Sequence, residues 1–97
     1  MSKIRNSASG AACMIRIPGV CNFNPQTTVL AHYNRVGWGK GPDFIGAYAC
    51  SDCHDAVDGR SHTKYSKQEL DLMFFEGIQR TQELLYKSGL IQTKGSK

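Results

Sequence analysis

Long apolar runs are missing from this 97-residue sequence. No stretch approaches the roughly 20 apolar residues that a membrane-spanning helix needs, and residues 1–5 lead into no apolar segment of the kind found in signal peptides. We therefore expect a cytoplasmic protein with no membrane partner. The sequence also lacks repeats, low-complexity tracts and any linker long enough to divide it, which predicts a single domain over residues 1–97.

The four cysteines form two pairs, Cys13 with Cys21 and Cys50 with Cys53. A chain this short buries a modest core, and small domains are commonly stabilised by a metal ion, disulfides or a partner chain. In a reducing compartment, four thiols in this pattern are typical of one structural zinc site. The sequence therefore predicts a zinc ion held by all four cysteines, with disulfides or unlinked thiols as the alternatives.

The net charge of +4 fits a polyanionic partner such as nucleic acid without demanding one. Four thiolates around one zinc ion would carry a net −2 and bring the chain to about +2. Attraction to nucleic acid would therefore depend on local clustering of positive charge, and solubilising charge scattered over the surface is the alternative. The candidate cluster consists of Lys3, Arg5, Arg16, Arg35, Lys40, Lys64 and Lys67.

Short β-forming segments dominate the first half of the chain, after a loose or weakly helical arm at residues 1–12. Residues 14–20 predict a short strand and a Pro-Gly turn that would bring Cys21 back to Cys13. Residues 27–33 and 44–49 predict two further strands.

Two helices are predicted in the second half. The first starts near residue 52 and is closed by Gly59, so that His54 and Asp58, four residues apart, share a face. The second spans residues 66–88, begins with a Ser-Lys-Gln-Glu capping box and ends before Gly89. Its apolar stripe, which we expect to cover the core, consists of Leu70, Met73, Phe74, Ile78, Leu84 and Leu85.

The glycine-rich stretch 37–42 predicts a functional loop. Trp38 could stack on a base or sugar there, with Arg35 and Lys40 nearby to contact phosphates. A tryptophan that closes a small core is the alternative.

Strand, loop, strand and helix, with His32 on the first strand and His54 on the helix, is the plan of a ββα-metal nuclease site. The residues resemble the HNH (His-Me finger) endonuclease superfamily, and within it small prophage-encoded nuclease-like proteins of the YbcO type. The shared motifs are Cys…Arg-Ile-Pro-Gly-Val-Cys-Asn at 13–22, Leu-Ala-His at 30–32, Pro-Asp at 42–43 and Ala-Cys-Ser-x-Cys-His-Asp at 49–55. This combination is far more specific than Cys-x-x-Cys-His, which also matches haem attachment.

The resemblance implies an α+β fold: a small ββα-metal domain with its zinc knuckle and core at residues 13–62, followed by the long C-terminal helix. It also implies metal-dependent hydrolysis of DNA phosphodiester bonds. His54 would hold the catalytic cation, and Asp58 would be a second ligand by spacing; an imidazole with a carboxylate suits Mg, Mn or Zn.

His32 matches the general base of this superfamily, and Asp43 matches the middle HNH position, usually Asn, which orients that base. Each has a structural alternative. His32 could be a strand histidine with a satisfied hydrogen bond, and Asp43 could be a turn aspartate that follows a proline.

The chain departs from the HNH pattern at Ala31, where many members carry an Asp or His ligand. His62 or water could complete the site, His32 could bind the metal instead of acting as base, or catalysis could have been lost. His62 lies eight residues beyond His54 and past Gly59, so only a returning loop could bring it to the site. An exposed or phosphate-contacting histidine is the alternative.

These alternatives leave two other classes of function open. One is a catalytically silent, zinc-stabilised nucleic-acid-binding module, and the other is a small zinc-pinned adaptor that binds protein through the helix at 66–88. The oligomeric state is undecided by the sequence, and a homodimer is compatible with it.

Overall fold

The computed structural model describes residues 3–33 and 44–91, which form an α+β fold. Its elements in chain order are α1 (Lys3–Ser7), a 3-10 turn (Pro25–Thr27), β1 (Val29–His32), β2 (Gly46–Ala49), α2 (Ser51–Val57) and α3 (Lys67–Lys87). Within the described ranges, the helices are too short or too polar to cross a membrane. The predicted pair of strands and the predicted long C-terminal helix are both confirmed.

A two-stranded antiparallel sheet forms the centre of the fold, with Val29 opposite Ala49 and His32 opposite Gly46. Close approach of the strands requires glycine at position 46, since an added Cβ would lie 2.8 Å from the Ala31 carbonyl oxygen. Alanines at 31, 47 and 49 are almost fully buried, which lets α2 and α3 pack close to the sheet.

The long helix α3 begins with the predicted capping box. The Ser66 hydroxyl accepts from the Glu69 N–H at 3.1 Å, and the Glu69 carboxylate accepts from the Ser66 N–H at 2.7 Å. The predicted stripe is buried at Phe74, Ile78 and Leu85, but Leu84 is 41% exposed. Placing Leu84 in the core was therefore wrong, because it lies one residue round the helix from Leu85, which occupies the buried position.

α3 is joined to the sheet by a buried threonine that the apolar pattern does not reveal. The Thr81 hydroxyl accepts a hydrogen bond from the Tyr48 N–H at 3.0 Å and donates to the Gly77 carbonyl at 2.7 Å. The fully buried Thr81 hydroxyl thus has a partner both as a donor and as an acceptor. Gly77 itself allows the close approach of Ile15, since an added Cβ would lie 2.8 Å from the Ile15 side chain.

The strand predicted over residues 14–20 is absent, so that prediction was wrong. Ile15 and Ile17 both enter the core, but Arg16 between them has a left-handed backbone with φ 56° and interrupts the extended conformation. The Met14 N–H still donates to the Tyr48 carbonyl at 2.7 Å, which holds the segment beside β2. Burial of both isoleucines is thus achieved by an irregular loop.

Part of the N-terminal arm, predicted as loose or weakly helical, is the short helix α1. The Ser7 hydroxyl lies 2.6 Å from the Tyr48 hydroxyl, and Ala8 is buried in a small cluster with Met14 and Leu85. The end of this arm therefore packs against the rest of the fold.

Candidate functional site

The sulfur atoms of the four cysteines all lie within 4.8 Å of one another. Three of the cysteines are buried, Cys21 is partly buried, and all four are free thiols. The Sγ atoms of Cys21 and Cys50 are 3.8 Å apart, far beyond the roughly 2.05 Å of a disulfide. A tetrahedral zinc ion with Zn–S bonds of about 2.3 Å requires sulfurs about 3.8 Å apart. The cluster could therefore hold a metal ion such as zinc.

Two local turns bring the sulfurs together. In the first, which we call the knuckle (residues 13–21), the Val20 and Cys21 N–H groups both donate to the Ile17 carbonyl, at 3.0 and 2.9 Å. Gly19 supplies the left-handed conformation of this turn, with φ 77°. In the second, Cys50 is the N-cap of α2, and its sulfur accepts the Cys53 N–H at 3.4 Å.

The knuckle is tied to α2 by side chains that sequence reasoning missed. The Asn22 amide donates to the Ser51 hydroxyl at 3.2 Å and accepts from the Thr27 hydroxyl at 3.4 Å. The Ser51 N–H in turn donates to the Thr27 hydroxyl at 3.2 Å. Asn22 directly follows Cys21 and ends the Arg-Ile-Pro-Gly-Val-Cys-Asn motif. That position is the sequence signal that could have indicated its role in joining the knuckle to α2.

The thiols influence one another strongly because they are so close. A hydrogen bond from the Cys53 thiol lowers the pKa of Cys13 to about 4, and the same hydrogen bond, with burial, raises the pKa of Cys53. Burial raises the pKa of Cys21 to about 11. Without a cation, negative charge is therefore concentrated on Cys13. Four thiolates this close need the positive charge of a metal ion to coexist.

A second candidate site lies on α2. The His54 Nε2 and Asp58 Oδ2 atoms are 3.2 Å apart, with 28% and 33% of the two side chains exposed. The predicted shared face is thus present, with both side chains partly accessible to solvent. The pair offers one nitrogen and one oxygen donor for a divalent cation.

Arg60 is a further member of this site that the sequence pattern did not reveal. Its guanidinium donates to Asp58 Oδ2 at 2.9 Å and lies 3.5 Å from the Asp55 carboxylate. Asp58 caps the C-terminus of α2, and the turn at Gly59 brings Arg60 back beside it. The position of this arginine, two residues after Asp58, is the sequence signal that could have predicted the ion pair.

His32 is the last residue of β1 and is partly buried. Ala31 is 1% exposed and belongs to the core cluster that contains Cys53, Ala56 and Val57 of α2. The first-strand histidine and the helix histidine thus belong to elements that pack together.

Of the remaining predicted site residues, the structure describes His62. His62 is exposed and lies beside residues 18–20 of the knuckle. Among residues 3–33 and 44–91, the four cysteines are the one group of three or more Cys, His, Asp or Glu side chains close enough to share an ion. Arg35, Trp38, Lys40 and Asp43 lie outside the described residues.

Comparisons with known proteins agree with this architecture. The model of the family described as "Putative nuclease YbcO" matches residues 2–90. "Putative nuclease YbcO" of Escherichia coli (strain K12) and "Putative nuclease ybcO" of Enterobacteria phage 82 are each 43% identical to the chain, over 95% of it and 99% of their own length.

A solved structure, described as "Structure of a putative bacteriophage protein from Escherichia coli str. K-12 substr. MG1655", superimposes with a TM-score of 0.79. It is 44% identical, and the match covers 90% of this chain and 100% of that one. Family model, curated relatives and solved structure each cover nearly the whole chain. The protein therefore belongs to the YbcO family of nuclease-named proteins.

Proposed function

We propose that this protein is a metal-dependent endonuclease of the HNH type that hydrolyses DNA phosphodiester bonds. The observation that carries the proposal is the 3.2 Å contact between His54 and Asp58 on the helix that directly follows an antiparallel strand pair. The nuclease names of the relatives support the same class of function. A structural zinc ion at Cys13, Cys21, Cys50 and Cys53 would stabilise the domain.

His54 and Asp58 would hold the catalytic cation, for which Mg, Mn and Zn all suit the donor atoms. When bound, a divalent cation supplies stabilisation of the negative charge that develops on the phosphate and on the leaving oxygen. Arg60 would keep the Asp58 carboxylate in place through its 2.9 Å hydrogen bond. Because both side chains of the pair are partly exposed, a phosphate of a nucleic acid can approach them.

His32 would act as the general base that takes a proton from the attacking water, since an imidazole can accept a proton near neutral pH. Asp43 would accept the other ring N–H of His32 and so set its tautomer and orientation. These two roles rest on the resemblance of Leu-Ala-His and Pro-Asp to the HNH motifs.

The geometry of β1 favours a second candidate, a catalytically silent nucleic-acid-binding module. Ala31 and Tyr33 both pack in the cluster that contains α2 residues. Many HNH members carry an Asp or His ligand at the position of Ala31, and the buried alanine offers no ligand atom there. The lack of this ligand weakens the case for catalysis and does not affect the cysteine site.

The surface of α3 favours the third candidate, a zinc-pinned adaptor that binds protein. Leu72 and Phe75 are 58% and 51% exposed and lie about one turn apart. Exposed apolar pairs of this kind occur at protein contacts, although single exposed apolar residues are common on any surface. We keep the nuclease as the proposal because the adaptor leaves the His54–Asp58 pair without a role.

Incision of supercoiled plasmid, tested separately with Mg, Mn and Zn, discriminates among these candidates. The wild-type protein should nick the plasmid, and His54→Ala should lose at least roughly a hundredfold in rate. Asp58→Asn should also lose activity, whereas the matched control Asp52→Asn, on an exposed position of the same helix, should retain it. Absence of incision by zinc-loaded wild-type protein with every ion, or full activity in His54→Ala, would remove the endonuclease proposal.

A further inference from the structure

The stretch from Arg60 to Lys67, the first residue of α3, is strongly basic. Residues 60–67 contain Arg60, His62, Lys64 and Lys67 and no acidic residue. The segment begins two residues after Asp58, so it leaves directly from the His54–Asp58 pair. The proposed mechanism uses only its first residue.

A cleft of about 350 Å³ lies between this segment and the knuckle. Residues 18–20 form one wall and residues 62–65 form the other. Gly19 adds no side chain to the first wall, and the space that its Cβ would occupy is open. A ligand can therefore approach the knuckle backbone closely.

The two walls are held together by Tyr65. Its hydroxyl donates to the Pro18 carbonyl at 2.8 Å, and its N–H donates to the Thr63 hydroxyl at 3.1 Å. The Tyr65 side chain also packs against the core cluster that contains Cys13, Cys50 and Cys53. Contacts within the protein thus hold the two walls of the cleft in place, which lowers the entropy that binding must overcome.

Lys64 is the cation that this cleft offers. Its ammonium lies 5.5 Å from the centre of the Tyr65 ring, and within the described residues it has no carboxylate partner. Arg60 and Lys67, by contrast, are paired with Asp58 and Asp71, each at 2.9 Å. Lysine ammonium, side-chain hydroxyl and backbone N–H groups are all groups that contact phosphates in protein–DNA complexes.

We propose that the cleft between the knuckle and residues 62–65 binds the phosphate backbone of the DNA substrate, with Lys64 as its principal cation. The inference rests on the proposed nuclease function and names where the substrate strand runs. Four residues from Arg60 to Lys64 span at most about 14 Å. That corresponds to at most about four nucleotides at roughly 3.4 Å each. A strand held at Lys64 would therefore reach Arg60, which donates to Asp58 at 2.9 Å, within a few nucleotides.

Binding of zinc-loaded full-length protein to a short fluorescent DNA duplex, with Ca as a non-catalytic divalent ion, tests the cleft. Fluorescence anisotropy over a series of salt concentrations gives the affinity and its salt dependence. Lys64→Gln should weaken binding several-fold and reduce the slope of log affinity against log salt by about 0.9, the value for one lost phosphate contact on B-DNA. Lys64→Arg, which keeps the positive charge, should retain both the affinity and its salt dependence.

Lys87→Gln is the matched control, because it removes the same charge near the far end of α3, where Lys87 pairs with Glu83 at 3.2 Å. Equal losses in Lys87→Gln and Lys64→Gln would show a general charge effect and overturn the cleft, as would unchanged binding in Lys64→Gln. Plasmid incision measured in parallel separates the two proposals. Lys64-dependent binding without incision supports the cleft and removes the nuclease, whereas wild-type protein that binds no DNA overturns both.

Discussion

The Sγ atoms of Cys21 and Cys50 lie 3.8 Å apart, although the two residues are 29 positions apart in the chain. Cys21 ends the knuckle and Cys50 caps α2, so this contact joins the knuckle to the helix that carries His54. The hydrogen bond between Asn22 and Ser51 reinforces the same junction. A metal ion at the cysteines would therefore stabilise the element on which the candidate active site is built.

Elemental analysis of the purified protein should find about one tightly bound zinc ion per chain. Cys50→Ser should unfold the domain, because it removes a ligand and structural zinc supplies folding free energy on the order of 10 kcal/mol in small modules. Asp52→Asn, at an exposed position two residues further along α2, should keep both zinc and fold. Protein from a reducing cytosol with paired disulfides and no zinc would contradict this prediction.

Zinc binding at neutral pH should release at least two protons. The pKa of Cys21 is raised to about 11 by burial and that of Cys53 is also raised, so both thiols carry protons in the metal-free fold, while Cys13 with a pKa of about 4 does not. If the metal-free chain is unfolded, zinc binding should release up to about four protons, since a free thiol has a pKa of about 8.5.

Protons compete with zinc for the thiolates, so the apparent zinc affinity should fall as the pH is lowered. Calorimetric titration in two buffers with different ionisation enthalpies measures the number of protons released. Release of fewer than two would mean that the thiols are not the ligands.

His32→Ala should keep the fold and the structural zinc while losing at least roughly a hundredfold in incision rate, the scale expected for deleting a general base. Binding of the catalytic cation should be retained in this variant and weakened in His54→Ala. Circular dichroism and zinc stoichiometry provide the structural controls. Undiminished incision by His32→Ala would exclude it as the base, and loss of zinc in either variant would show that the ligands are divided differently.

Replacing Arg35 and Lys40 together should reduce the salt dependence of DNA binding by about one unit of slope per lost phosphate contact. The two residues flank Trp38 in the stretch between the His32 strand and Asp43, where a scissile phosphate would approach. Lys87→Gln again serves as the control for net charge. If no single- or double-stranded DNA binds at low ionic strength, the adaptor function of α3 becomes the best account.

Gly77→Ala should destabilise the domain by about 1–3 kcal/mol, because the new methyl group would lie 2.8 Å from the Ile15 side chain and 3.1 Å from its Cα. The gain of about 1 kcal/mol in helix propensity opposes this effect and is smaller than the overpacking expected against a backbone atom. Urea unfolding at saturating zinc measures the difference. Gln79→Ala, on the exposed side of α3, should change the free energy of unfolding by less than about 0.5 kcal/mol.

Local sequence patterns were sufficient to predict those features of secondary structure that depend on residues only a few positions apart in the chain. The capping box at Ser66 and Glu69 defines the start of α3, because its hydrogen bonds join residues three positions apart. The four-residue spacing of His54 and Asp58 likewise places them on one face of any helix that contains both. The spacing of the two cysteine pairs predicted a shared metal site, and the structure brings the four sulfur atoms within 4.8 Å of one another.

Tertiary contacts decided the rest, because they join segments whose separation in the chain carries no periodic signal. The β-forming residues around Ile15 and Ile17 became an irregular loop since the knuckle has to turn back to Cys13 while both side chains enter the core. The pairing of Tyr65 with Pro18 joins residues 47 positions apart and creates the Lys64 cleft. The sequence by itself thus determined the helices and the pairing of cysteines that could hold a metal ion. Only the packing of distant segments decided which charges face one another and where a cleft forms between the knuckle and residues 62–65.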